Sequence, residues 1–268
     1  MLTPEVLPME EVDFFVPCFV DQFYPDAAMA AVEVLEALGC QVRVPEGATC
    51  CGQPAYNAGY WEEARPVAAK WLRDFGPTKE LERTVVVLSS SCTGMLRNGY
   101  RELLPASGPE FKAWEQARPR ILEFVEFVHA HPHRNRLQSV FQHKISYHDA
   151  CSALRECGIR DQVRDLLAGV RGLELIELPE NETCCGFGGT FSVKFEGIST
   201  AMGEQKVSNV VNTGADFLVS TDMSCLMHME GIIRRNKIPM AVMHVAEILA
   251  GRKPTKPWQP SEIKPASA

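Results

Sequence analysis

The sequence predicts an α/β protein built from two pseudo-symmetric repeats, each a small, mainly parallel sheet with crossover helices and cysteines at the carboxyl ends of its strands. Three observations carry that prediction. Short runs rich in Val, Ile and Leu alternate with segments of helical periodicity, the pattern of buried strands joined by helical crossovers. Four cysteines, Cys18, Cys50, Cys51 and Cys92, return in the same order as Cys151, Cys184, Cys185 and Cys225, at offsets 151 − 18 = 133, 184 − 50 = 134, 185 − 51 = 134 and 225 − 92 = 133. Their surroundings keep that register, Thr49 with Thr183, Gly52 with Gly186 and Ser91-Cys92 with Ser224-Cys225, which makes residues 10–130 and 140–250 two copies of one unit.

In the first unit, Val12 to Val16 is a short apolar strand. Ala27 to Gly39 has helical periodicity and stops on a glycine, and Gln41 to Val44 is a brief second strand. Beyond the double cysteine come a helix over Trp61 to Phe75, a strand over Thr84 to Ser89, and a helix beginning soon after Cys92. The second unit repeats this with strands in Lys144 to His148, Leu173 to Leu178 and Asp216 to Ser220, and helices over Asp161 to Ala168 and Thr200 to Val211. Pro119 to His131 reads as one helix connecting or packing across the two units, and 251–268, rich in Pro and Lys, reads as a loose tail. Each cysteine or cysteine pair then follows a strand. Parallel strands end on one edge, where open α/β sheets build their sites, so cysteines distant in sequence are expected to converge there.

Composition narrows the function. With 46% hydrophobic and 23% charged residues the chain is that of a soluble globular protein, and its net charge of −7 argues against nucleic acid, which needs a basic surface. Met1 to Phe15 lacks the positive start and apolar core of a signal peptide, and no apolar run approaches the roughly 20 residues of a membrane span, so a cytoplasmic location is expected. In that reducing compartment ten cysteines point to metal or redox chemistry rather than disulfides.

Four thiolates at a sheet edge form a soft-ligand cage suited to an iron-sulfur cluster or to zinc. Structural zinc ordinarily draws on Cys-x-x-Cys knuckles, and none occurs here, which favours iron-sulfur over zinc or uncomplexed thiols. Adjacent cysteines face opposite ways in a regular strand, so Cys50-Cys51 and Cys184-Cys185 share a cluster only where the backbone turns irregularly. Gly52 and Gly186 supply that freedom, and Gly188 and Gly189 allow close backbone approach.

These residues resemble a known family. A cysteine, Cys-Cys-Gly 32 or 33 positions on, and a further cysteine, all present twice, look like the cysteine-rich CCG domains of heterodisulfide reductase B, the glycolate oxidase iron-sulfur subunit and the lactate utilization protein A group. "PCFVDQFYPD", "CCGQPAYNAG", "YHDACSALRECGI" and "CCGFGGTFSVK" most closely resemble the last of these. The wider family often finishes its motif with Cys-x-x-Cys, whereas here the endings are "SCTGM" and "SCLMH", with Met95 and His228 where a further cysteine would stand.

The resemblance implies an oxidoreductase component: an iron-sulfur electron-transfer subunit, holding one or two 4Fe-4S clusters and active only with partner proteins, in a complex that oxidises L-lactate to pyruvate. One cluster would use Cys18, Cys50, Cys51 and Cys92, and another Cys151, Cys184, Cys185 and Cys225. His228, Cys157 and His148 are candidates for an extra ligand or for tuning, Met95 a weaker one, and Asp149 a further tuning or capping residue; Cys40 has no counterpart in the repeat and is expected to be packed. The chain lacks a GxGxxG fingerprint, a P-loop and the ferredoxin cysteine run, so electrons would arrive from a lactate-utilization partner carrying ferredoxin-type clusters. Two competing readings are a thiol-disulfide reductase component resembling heterodisulfide reductase B and a non-catalytic zinc-stabilised scaffold.

Overall fold

The computed structural model describes residues 9–77 and 83–253. The chain forms two four-stranded sheets in which every strand pair is parallel. In the first, β1 (Glu10–Phe15), β2 (Cys40–Arg43), β3 (Thr84–Val87) and β4 (Ile121–Glu123) lie in the order β2-β1-β3-β4. In the second, β5 (Lys144–Tyr147), β6 (Glu174–Ile176), β7 (Phe217–Ser220) and β8 (Ala241–His244) lie in the order β6-β5-β7-β8. The register repeats as well: Phe14 stands beside Val86, and Tyr147, 133 residues after Phe14, stands beside Val219, 133 after Val86.

Helices fill the crossovers. The first unit has α1 (Cys18–Phe23), α2 (Pro25–Leu38), α3 (Gln53–Asn57), α4 (Trp61–Phe75), α5 (Ser90–Gly94), α6 (Tyr100–Leu103), α7 (Pro109–Ala117) and α8 (Phe124–Ala130). The second has α9 (Asp161–Ala168), α10 (Phe191–Lys194), α11 (Glu196–Asn212), α12 (Met223–Arg235) and α13 (Val245–Leu249). Their boundaries follow from local chemistry. Pro25 opens α2, where a missing N–H costs nothing, and Gly39 at φ 96° closes it. In α4 the buried residues Ala64, Ala68, Trp71, Leu72 and Phe75 recur at helical spacing, and that stripe packs against Phe15 of β1.

One apolar core contains strands of both sheets, with Val12, Phe14, Val86, Ile145, Tyr147 and Leu218 all fully buried; a second, around Phe15, Trp71, Val85 and Tyr100, covers the other face of the first sheet. The units also share helices, since α2 packs on α13 and α8 on α9.

Two expectations are corrected. Pro119 to His131 is not one helix: Ile121–Glu123 is the fourth strand of the first sheet, and only Phe124–Ala130 is α-helical. Glu123 forces the change, because its buried carboxyl group accepts from the N–H groups of Val125 and Glu126 and so starts the helix there. The helix expected to begin after Cys92 begins at Ser90, placing Cys92 in its first turn. The tail expected over 251–268 lies outside the described residues from 254 onward; just before it Arg252 pairs with Glu33 of α2 at 2.7 Å.

Candidate metal centre

From β1 the chain crosses to β2 on one side, then returns to place β3 on the other side of β1. The reversal between β1 and β3 is the switch point at which an open α/β sheet leaves a crevice beyond the carboxyl ends of its strands. Cys18 follows β1, Cys50-Cys51 follow β2 and Cys92 follows β3; the second sheet does the same with Cys151, Cys184-Cys185 and Cys225. The two crevices meet. All eight cysteines line one cavity of about 180 Å³.

Within each unit the thiols form a contiguous chain. The Cys18 and Cys50 sulfurs are 3.8 Å apart and those of Cys51 and Cys92 3.3 Å apart. In the second unit Cys151 interacts with Cys184, and Cys185 with both Cys184 and Cys225. The double cysteine therefore splits, its first member turning to the entry cysteine and its second to the exit cysteine. The glycine after each pair makes this possible: Gly52 at φ 84° and Gly186 at φ 90° reverse the chain so that their N–H groups donate back to Cys50 and Cys184, each at 3.3 Å. Cys92 and Cys225 sit in the first turns of α5 and α12, which sets their sulfurs against those of Cys51 and Cys185. Contact with the Cys18 and Cys51 thiols and with the Gly52 N–H pulls the Cys50 thiol well down, to about 3.

These are the properties of a soft-metal cage. Every cysteine is a free thiol, the sulfurs approach one another without bonding, and half of the eight (Cys51, Cys92, Cys185 and Cys225) are buried. The donor set fits an iron-sulfur cluster or a thiophilic metal and is wrong for magnesium or calcium.

The junction between the units holds the two sets face to face. Asp222 caps α12 through the Ser224 N–H at 3.2 Å and reaches across to the first unit, accepting from Ser89 Oγ at 3.1 Å and the Ser91 N–H at 3.0 Å. Beside it Ser90 and Thr221 share a hydrogen bond of 2.9 Å. These contacts anchor the two helix starts that carry Cys92 and Cys225.

The other expected residues divide. His148 is 1% exposed, and one of its ring nitrogens lies within 4.8 Å of the Cys185 and Cys225 sulfurs. His228 turns instead toward the Ser199 carbonyl, with Nε2 3.3 Å away. Met95 is buried where α5 gives way to a π-helical turn, its sulfur against Gly99. Cys157 closes a second π-helical turn and points its thiol at the Ser90 carbonyl, 3.6 Å away, outside the cavity. Asp149 is buried and paired with Arg164 at 2.8 Å; Asn181 donates to it at 2.6 Å, which fixes the segment leading to Cys184. Cys40 packs at the opposite, amino end of the first sheet, 3.8 Å from His131. His131 Nδ1 accepts the His133 N–H at 3.2 Å, and its Nε2 faces Cys40 and Glu10, away from the eight-cysteine cavity.

Sequence reading missed Lys206. This lysine is 1% exposed and donates to the carbonyls of Glu180 and Asn181 at 2.8 and 2.6 Å and to the Thr183 hydroxyl at 3.2 Å, seating an ammonium beside the second double cysteine. An isolated Lys in a helix of mixed polar and small residues gives no sequence signal of such a role. Asp222 was missed for a similar reason: only the junction shows that it serves both units.

A duplicated parallel fold with a four-cysteine cage on each sheet defines the class, and comparison with family profiles agrees: the "CCG: Cysteine-rich domain" profile matches twice, over residues 12–97 and 145–230. "Lactate utilization protein A" of Halalkalibacterium halodurans is 40% identical over 250 residues, covering 92% of this chain and 99% of that one. "Lactate utilization protein A 2" of Bacillus cereus strain Q1 is 36% identical over 240 residues, covering 90% and 98%. The chain belongs to the cysteine-rich CCG domain family and, within it, to the lactate utilization protein A group. Among solved structures, a hypothetical protein from Helicobacter pylori shares the fold with a TM-score of 0.60 at 11% identity; the match covers 93% of this chain and spans half the length of that one. Among the described residues no helix is long and apolar enough to cross a membrane.

Proposed function

We propose that the protein is the iron-sulfur electron-transfer subunit of a cytoplasmic complex that oxidises L-lactate to pyruvate. One cluster is held by Cys18, Cys50, Cys51 and Cys92, the other by Cys151, Cys184, Cys185 and Cys225. The observation that carries this reading is the convergence of both four-cysteine sets on one cavity. The names of the relatives supply the metabolic context.

When bound, a cluster accepts and releases single electrons. The chain's own residues do the rest: the thiolates fix the cluster positions, the Gly52 and Gly186 N–H groups donate to the Cys50 and Cys184 sulfurs, and Asp222 holds the two cages in one frame. The lining of the cavity also speaks against a carboxylate substrate there. Among the described residues no Lys, Arg or His lines it, and its one ionisable oxygen group is Asp222, so nothing clamps the lactate carboxylate. Lactate oxidation is accordingly assigned to the assembled complex, with electrons exchanged with a partner protein carrying ferredoxin-type clusters.

Anaerobic purification followed by iron and sulfide analysis and EPR tests the cofactor. Iron and acid-labile sulfide in comparable amounts are expected, and zinc without sulfide would overturn the proposal. Within the reconstituted complex, Cys184→Ser and Cys185→Ser are expected to abolish lactate-dependent electron transfer; activity surviving both substitutions would overturn it equally.

A further inference from the structure

We propose that His148 is a nitrogen ligand of the second-unit centre, so that the protein carries one all-sulfur centre and one sulfur-plus-nitrogen centre. The inference rests on the iron-sulfur reading above and goes beyond it.

The first argument is a buried polar group with nowhere else to go. His148 is 1% exposed, and neither Nδ1 nor Nε2 has a hydrogen-bond partner among the described residues. Leaving a buried polar group unpaired costs about 1–3 kcal/mol, so such a ring is retained only where something answers it. Its backbone is held on both sides: the His148 N–H donates to the Val219 carbonyl at 2.8 Å, and the His148 carbonyl accepts from Ser220 Oγ at 2.9 Å. His148 is not among the residues lining the shared cavity, yet one of its ring nitrogens and the Cys185 and Cys225 sulfurs lie within 4.8 Å of one another, a spacing that one metal atom can bridge.

The second argument comes from the repeat. Position 148 − 133 = 15 is Phe15 in the first unit. The pairing of Phe14 with Val86 and of Tyr147 with Val219 shows that the two positions are equivalent in three dimensions as well. Phe15 is packed edge-on against Trp71 and Phe75, at 6.1 and 5.3 Å between ring centres, and offers a metal nothing. A duplication that keeps all four cysteines but exchanges a hydrocarbon ring for an unpartnered imidazole has made its two centres chemically unequal.

The third argument separates the two candidate histidines. His228 follows Cys225 by one helical turn, but its Nε2 is 3.3 Å from the Ser199 carbonyl and its ring is wedged against Gly203, where even a Cβ would come within 2.8 Å of that nitrogen. His228 is answered by protein and His148 is not.

Pulsed EPR of the anaerobically purified, reduced full chain tests the assignment, using protein grown with natural-abundance histidine and with 15N-histidine. A directly bonded nitrogen coupling from one histidine is expected. It should change isotope with the label, survive His228→Asn, and disappear in His148→Phe, the substitution that installs the first unit's residue. A protein with iron and sulfide for both centres but no histidine coupling, or only the weak coupling of a hydrogen bond, overturns the inference while leaving the iron-sulfur reading intact. So does a coupling lost in His228→Asn. Absence of iron and sulfide overturns both. Because the isotope comparison uses the unaltered chain, a His148→Phe protein that fails to fold does not remove the test.

Discussion

At Gly186 the backbone sits at φ 90°, and an added Cβ would come within 2.6 Å of the Ser199 carbonyl oxygen and 2.8 Å of the Met202 Cβ. Left-handed backbone costs a non-glycine residue roughly 1–3 kcal/mol, and the contact with backbone cannot be relieved by a side-chain rotation. Gly186→Ala is expected to lower stability by about 2 kcal/mol or more and to reduce the metal content of the second unit, measured by denaturant unfolding and metal analysis. Gly189→Ala, at φ 61° with nothing within 4 Å, should show only the milder backbone cost. Glu123 makes a different prediction. Burial pushes its carboxyl from 4.5 up to about 8, so it is protonated in the folded chain at neutral pH and ionised once unfolded. Unfolding then releases a proton between about pH 4.5 and 8, and stability falls as pH rises through that window, by a total on the order of 5 kcal/mol. Glu247, pushed up by burial to about 7, acts in the same direction. Glu123→Gln should flatten most of this slope in unfolding measurements across that range.

The elements that declared themselves in the sequence were those with a long period to read. Trp61 to Phe75 and Asp161 to Ala168 carry enough turns for an apolar stripe to repeat, and both form helices over those spans. The fourth strand of each sheet did not declare itself. Ile121–Glu123 has three residues and runs without a break into a helix equally rich in Val and Phe, so its period is too short to tell from the helix that follows. Only a tertiary fact, the buried cap at Glu123, divides them. The site divided in the same way: eight cysteines stood out because repetition marks them and His148 because it stands three residues before Cys151, whereas Lys206 and Asp222 acquire meaning only from what surrounds them. Within α4, Trp71 is 2% exposed and stacks on Phe75 with a centroid distance of 5.1 Å. Trp71→Ala is expected to cost about 3–5 kcal/mol of unfolding free energy, with the loss centred on the first sheet's outer core.

Across the whole molecule the two repeats behave as halves of one structure. The larger core contains strands of both sheets, and Asp222 ties α12 to the start of α5. Asp222→Asn keeps the shape but removes the charge that receives Ser89 and Ser91, and disturbance at this junction should reach both cages at once. Substitution there is expected to change the EPR signals of both centres, whereas Cys184→Ser should change chiefly one. The placement of the thiols also sets an order of assembly. The four cysteines of a unit come from three separate crossovers spread over 92 − 18 = 74 positions, so no cage exists until its strands have taken their places. A zinc finger is shaped by its ion, but here the polypeptide has to finish first and receive its inorganic cargo afterwards. Chelator-treated protein should therefore keep its far-ultraviolet circular dichroism and a cooperative melt at lower temperature, ready to be refilled without being refolded.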